Sequence, residues 1–313
     1  MKRFATPFLL AIVVTANGAV GQPLYAQKGY SPSSVEWLTA SSDVVALASV
    51  ADVAYKDRTP GPGETRSEWQ WVTVTLKVRT TLKGKAPETL VFVVERQRGD
   101  NTFSRWKESG QSVVWFLEEI GDKKEELPPD FPAVPEGQPR LRKSPRGEIE
   151  LGSPKTGKRV PQPVFSMDFR VLDEEDKIVE AVKAEVARRE KGPARVIWIP
   201  MPRDVAERSG RSGDANQLGV PVNSRLEELG RGWVGSKEDW LRRAGVQALA
   251  QFKSEANAAI LKLLLDNKTS WIETKDGREE RVYYIREAAY KALQEWKVPV
   301  PKPLLRELLK EER

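Results

Sequence analysis

The chain has 313 residues, 39% hydrophobic and 31% charged, with a formal net charge of +6 and neither His nor Cys. That length predicts about two domains with room for a real core. Without His or Cys, a Ser-His-Asp triad, a Cys-His pair, a disulfide staple and a thiolate or imidazole metal site are all excluded.

In chain order, Met1-Lys2-Arg3 is basic, Phe4 to Ala16 is apolar apart from Thr6 and Thr15, and Ala19-Val20-Gly21 and Ala26 are small. That order predicts a signal peptide over 1–26 and an exported chain, periplasmic or extracellular. The apolar run is shorter than the ~20 residues a bilayer demands and contains Pro7, and no other long apolar run follows. No transmembrane segment is therefore expected after signal removal. Losing Lys2 and Arg3 reduces the charge from +6 to +4. That is a mild bias toward anionic partners and no nucleic-acid signature.

Residues 27–122 read as a β domain. A short helix or turn is expected over Ser31–Ser42, with Trp37 and Leu38 inward. Strands are expected at Val44–Val53, Trp69–Thr80, Thr89–Glu95 and Ser112–Leu117, rich in Val, Thr and aromatics. Leu90–Val94 is apolar without alternation, as in a strand buried on both faces. Such short strands, separated by Gly and Pro turns, predict a small barrel or sandwich.

Residues 123–222 form a connecting region that opens with a long Pro-rich loop, nine prolines lying between Pro128 and Pro163. A strand at Val164–Leu172, a helix from Asp173 as N-cap to Glu190, and a strand at Val196–Met201 follow. Residues 223–313 are helical and repeat at a spacing of 44. Leu241 aligns with Ile285, Ala244 with Ala288, Ala248-Leu249 with Ala292-Leu293, and Leu264-Leu265 with Leu308-Leu309. Each unit reads as two apolar helices. Asp276-Gly277 between β-prone flanks predicts a hairpin inserted between the units.

Two resemblances follow from these residues. Leu241-Arg-Arg-Ala244…Ala248-Leu249 and Ile285-Arg-Glu-Ala288…Ala292-Leu293 resemble the first helix of HEAT repeats, a family with this period. Ser42–Ala48, Val74–Gly84 and Trp106–Leu117 resemble the netrin-like, OB-type barrel of secreted proteins, although that family's cysteines are absent. Metalloprotease inhibition, which that family performs through an N-terminal Cys, is therefore not implied.

Chemical motifs are sparse, and no cofactor is expected. Gly152–Lys158 matches most of a P-loop, but Arg159 stands where the Mg²⁺ hydroxyl belongs and Pro161 follows. Ser104-Arg-Trp-Lys107 echoes a penicillin-binding motif, yet the Ser falls in what reads as a polar turn. The carboxylate pairs Glu118-Glu119, Glu125-Glu126, Asp173–Asp176 and Glu279-Glu280 read as solvated faces.

Alternation along Glu68–Arg79 sets Val72, Val74, Leu76 and Val78 on one face. The candidate binding surface, Trp69, Trp71, Lys77 and Arg79, then lies on the other, unless the Pro-rich 128–163 stretch covers it. The fold class is thus α+β: a small β-barrel or sandwich, an αβ connector and a HEAT-like pair. The leading expectation is a non-enzymatic scaffold that contacts another envelope protein or an anionic polymer. The alternatives are a carboxylate-based glycan hydrolase and a carbohydrate or anionic-polymer binding module on the Trp69/Trp71 face.

Overall fold

The computed structural model describes residues 33–60, 68–120, 130–135, 139–151, 159–188, 194–202, 217–275 and 278–311. The segment 1–26 expected as a signal peptide, the P-loop-like Gly152–Lys158 and the carboxylates Glu125-Glu126 lie outside these residues.

Helix α1 (Val35–Ser41) opens the description. Its N-cap Ser34 accepts the Trp37 N–H at 3.1 Å. Its orphan carbonyls are satisfied from a distance. Lys83 Nζ receives a place beneath the helix and donates to the carbonyls of Thr39 at 2.7 Å, Ala40 at 3.2 Å and Ser42. Burial lowers the Lys83 pKa.

Strands β1 (Val44–Asp57), β2 (Trp69–Lys83), β3 (Thr89–Gln97), β4 (Ser112–Glu119) and β5 (Leu141–Glu150) close into a barrel in the order β1-β2-β3-β5-β4. Only the β3–β5 pair is parallel. Closure removes the exposed edges of an open sheet. The lumen is filled by Val44, Val72, Val74, Leu76, Phe92, Trp115 and their neighbours. Val45, Leu47, Val114 and Phe116 point outward and are buried under α1 and α3 (Glu175–Arg188), so β1 and β4 are apolar on both faces. The fifth strand falls in the stretch read as Pro-rich loop. Its alternation is broken by Lys143 and Glu148, both of which face the lumen side by pairing opposite Leu117 and Trp115.

Residues Thr102–Ser109, read as a polar turn, form helix α2. Phe103 and Trp106, one turn apart, plug the barrel against Phe92 and Trp115 with ring centroids 5.7–6.0 Å apart in the Phe92–Phe103 and Trp106–Trp115 pairs. The helix ends at Gly110, left-handed at φ 62°. At the β2–β3 turn, Gly84 has φ 73° and a Cβ there would stand 2.3 Å from the Asp43 carbonyl oxygen.

The segment expected as one strand at Val164–Leu172 is a hairpin of β6 (Arg159–Phe165) and β7 (Val171–Glu174). Asp173 therefore sits in β7 rather than capping α3, which begins at Glu175. Strands β8 (Val196–Pro200) and β9 (Gln217–Pro221) form a second two-stranded sheet. Helix α4 (Ser224–Trp233) is capped by Asn223, whose Oδ1 accepts the Leu226 N–H at 3.0 Å. Phe165, Met167, Ile199, Val220, Leu226 and Trp233 pack these parts into one core.

The C-terminal unit holds α5 (Asp239–Leu249), α6 (Glu255–Leu263), strands β10 (Trp271–Lys275) and β11 (Arg278–Val282), α7 (Tyr284–Glu295) and β12 (Arg306–Glu311). The inserted hairpin stands where the sequence places it. Leu249 and Leu293, which the 44-residue spacing aligns, are each fully buried in one cluster.

The second halves of the two units differ. Leu264-Leu265 end a helix, whereas Leu308-Leu309 lie in β12, which extends the hairpin into the sheet β10-β11-β12. Ser254 caps α6 by accepting the Asn257 N–H at 3.1 Å, and its equivalent is Val298. Pro299, Pro301 and Pro303 then withhold amide donors and push their predecessors to extended backbone. An edge of β11 is available, and the chain takes it.

Candidate functional site

The four residues expected to form a binding strip are not brought together on one open face. Trp71 is only 7% exposed, whereas Trp69 is 45% exposed. Phe131, from the Pro-rich stretch, meets the Trp71 ring edge-on at 5.2 Å, and the Arg58 guanidinium lies 5.4 Å from its centroid. The cover is pinned. Asp130 accepts the Thr59 N–H at 2.8 Å, and Lys56 Nζ donates to the Asp130 carbonyl at 3.0 Å. The Thr59 N–H is the main cause that holds the Asp130 carboxyl below its usual range. Lys77 is exposed, but six residues along a strand put it about 20 Å from Trp71. Arg79 pairs with Glu175 at 2.8 Å. Trp69 is thus the open aromatic of this strip, and the two cations lie at the other end of β2.

Two polar networks that sequence reading does not find lie deeper. Glu36 is 1% exposed, and its Oε2 accepts the Met167 N–H at 2.9 Å. Burial raises its pKa to about 7, against the lowering effect of backbone N–H groups and Arg225. Next to it, Asp168 receives Arg170 at 2.9 Å and Arg225 at 3.0 Å. Phe169 holds φ 65° in this turn and packs its ring against Trp233 and Trp240 at 5.3 Å and 5.1 Å. Left-handed backbone at a bulky residue is strained, and the two tryptophans stabilise it. This network joins α1, the β6–β7 turn and α4.

The second network sits in the barrel. Lys143 pairs with Glu148, which also meets Arg96 at 3.5 Å. Burial lowers the Lys143 pKa, and Glu148 opposes it. Arg96 in turn lies 5.1 Å over the Phe103 ring. Each charge is paired, as burial requires. The Ser104 hydroxyl lies 2.7 Å from the Tyr55 hydroxyl, within hydrogen-bond distance.

The apolar surface gathers elsewhere. Among the described residues, six of the nine exposed large hydrophobic residues, Leu263, Trp271, Ile272, Leu304, Leu308 and Leu309, belong to the C-terminal unit. Trp271, Ile272, Leu308 and Leu309 stand on β10 and β12, the two outer strands of their sheet. Glu273 and Arg306 punctuate those strands, a device that limits indiscriminate pairing.

At the start of β10 a shallow, open depression is lined by Asp239, Arg243, Thr269, Ser270, Trp271, Tyr284 and Ile285. Asp239 is its single carboxylate. Among the described residues, no group of three or more Asp or Glu is placed to hold a metal ion. Among them, too, no helix is long and apolar enough to cross a membrane. Comparisons with protein-family models, curated proteins and solved structures find no match.

Proposed function

We propose that this is an exported, non-enzymatic contact protein of the cell envelope, and that it meets its partner through the C-terminal sheet. The observation that carries the reading is the set of large apolar side chains on the two outer strands β10 and β12, from Leu309 at 38% exposure to Ile272 at 62%. An unpaired strand edge with exposed apolar residues is a surface suited to a partner.

The architecture agrees with a scaffold. The barrel order β1-β2-β3-β5-β4, with α2 between β3 and β4, supports the OB-type, netrin-like resemblance. The equivalence of Leu249 and Leu293 supports descent of α5 and α7 from a HEAT-like pair whose second unit has exchanged a helix for a strand. Export rests on the basic, apolar and small order of residues 1–26. Mass spectrometry of the native protein is expected to show a start between Ala19 and Lys28, and an intact Met1 contradicts export.

The contact surface is tested by replacing Ile272 and Leu308 with Ser together. Chemical crosslinking in the native envelope is expected to lose its principal adduct, with Tm nearly unchanged. An undiminished adduct excludes the outer strands of this sheet.

A further inference from the structure

Where the chain enters α1, a side chain takes over the work of a strand. Ser34, the N-cap of α1, bridges Phe165 at the end of β6 in parallel. Two residues on, Met167 is fully buried, and its N–H needs an acceptor. By then the other chain has turned into the helix, which begins at Val35. The carboxylate of Glu36 fills the place, its Oε2 accepting the Met167 N–H at 2.9 Å.

The surroundings do little for a charge on that carboxylate. Glu36 is 1% exposed. The guanidinium groups nearest to it are committed to another acid, since Arg170 from the β6–β7 turn and Arg225 from α4 both bind Asp168. The rest of α1 and all of β9 carry no charged side chain. From α3 it is Ile178 and Val182 that join Val35 and Leu38 of α1, and the buried Glu185 of α3 is met by Asn223 and Arg188. Lys83 of β2 lies under the other end of α1, on the carbonyls of Thr39 and Ala40. An ionised Glu36 would be a better acceptor for the Met167 N–H, but loss of water outweighs that gain and raises its pKa to about 7.

The turn that Glu36 holds is a unit under strain. Ser166 N–H donates to the Arg170 carbonyl at 2.9 Å, and Phe169 N–H to the Ser166 carbonyl at 3.0 Å. Phe169 has φ 65°, and its ring packs on Trp233 of α4 and Trp240 of α5. Such a backbone persists only while its surroundings impose it.

We infer that Glu36 is a pH-sensitive latch: protonated, it holds the β6–β7 turn against α1, and on losing its proton to solvent it lets the turn open locally and withdraw Phe169 from Trp233 and Trp240. The helix that covers the barrel is thereby released from the α4–α5 pair as pH rises through neutrality.

The test is hydrogen–deuterium exchange of the full-length protein from pH 5 to pH 8, read by mass spectrometry on peptides covering Phe165–Arg170 and Val113–Leu117 of β4. Each rate is divided by that of the same peptide free in solution at the same pH, which removes the base catalysis of exchange itself. The turn is expected to lose protection about 10–100-fold over this range, with little further change once Glu36 is ionised. At pH 8 its exchange should change by less than about twofold in sub-denaturing urea, as a local opening does, while that of β4 rises with urea. Glu36→Gln keeps an acceptor and has no charge to gain, so protection of the turn should stay level with pH. Asp168→Asn removes a neighbour and not the titrating group, so the transition should persist. Equal protection of the wild-type turn at pH 5 and pH 8, or the same urea dependence in the turn as in β4, overturns the latch. So does a transition that survives Glu36→Gln or vanishes in Asp168→Asn.

Discussion

The buried carboxylate of Glu36, on α1, accepts the backbone N–H of Met167 at 2.9 Å, tying the helix that covers the barrel to the β6–β7 turn. The contact couples stability to pH. Because burial raises the folded-state pKa to about 7 from an ordinary 4.5, ionising Glu36 costs more in the folded protein than in the unfolded one. Its contribution is fully present below about pH 4.5 and is lost as pH rises through about 7. Asp168, Arg170 and Arg225 face the same place, and Asp168, whose pKa is lowered, acts in the opposite sense at lower pH. Glu36→Gln keeps an acceptor for Met167 and removes the charge. It is expected to be more stable than wild type at pH 8 by about 2–3 kcal/mol and close to it at pH 4. Equal stability curves across that range would show that Glu36 ionises without cost.

Helices α4 and α5 approach closely at two glycines. A Cβ on Gly245 would stand 2.7 Å from the Val234 nitrogen and 2.9 Å from the Gly230 carbonyl oxygen, which are backbone atoms that cannot turn aside. Gly245→Ala is therefore expected to cost about 1–3 kcal/mol in chemical denaturation, despite alanine's better helix propensity. Leu249→Ala and Leu293→Ala, at the equivalent buried positions, should each cost about 2–5 kcal/mol. Losses below about 0.5 kcal/mol would mean that these helices do not pack as described.

Trp71 and Trp69 should separate cleanly. Trp71 sits beneath Phe131 and Arg58, so Trp71→Ala is expected to lower stability by about 3 kcal/mol or more. Trp69→Ala, at 45% exposure, should leave the thermal midpoint nearly unchanged. A neutral Trp71→Ala would show that the 130–135 cover is not a stable part of the fold.

Local pattern made much of this legible. Unbroken apolar runs marked β1, β3 and β4, Asp276-Gly277 marked the C-terminal hairpin, and the 44-residue register placed Leu249 and Leu293 inside. What was not legible depends on distant partners. Strand β5 carries Lys143 and Glu148 where alternation calls for apolar residues, and they are tolerated because they pair with each other. Leu304, Leu308 and Leu309 satisfy a helical register, yet the prolines before them and the free edge of β11 make a strand. The depression at Arg243, Tyr284 and Trp271 joins residues from α5, β10 and α7, a juxtaposition that no spacing along the chain reveals.

The central claim, that the C-terminal sheet is a partner surface, is tested most directly by site-specific photo-crosslinking in the native cells. A photoreactive residue replaces Ile272 or Leu308 in turn, with Lys85 on the barrel, also exposed, as the control position. The account predicts one dominant adduct of the same mass and identity from Ile272 and Leu308, and none of it from Lys85. An adduct pattern that is the same at all three positions, or absent from Ile272 and Leu308, would contradict it.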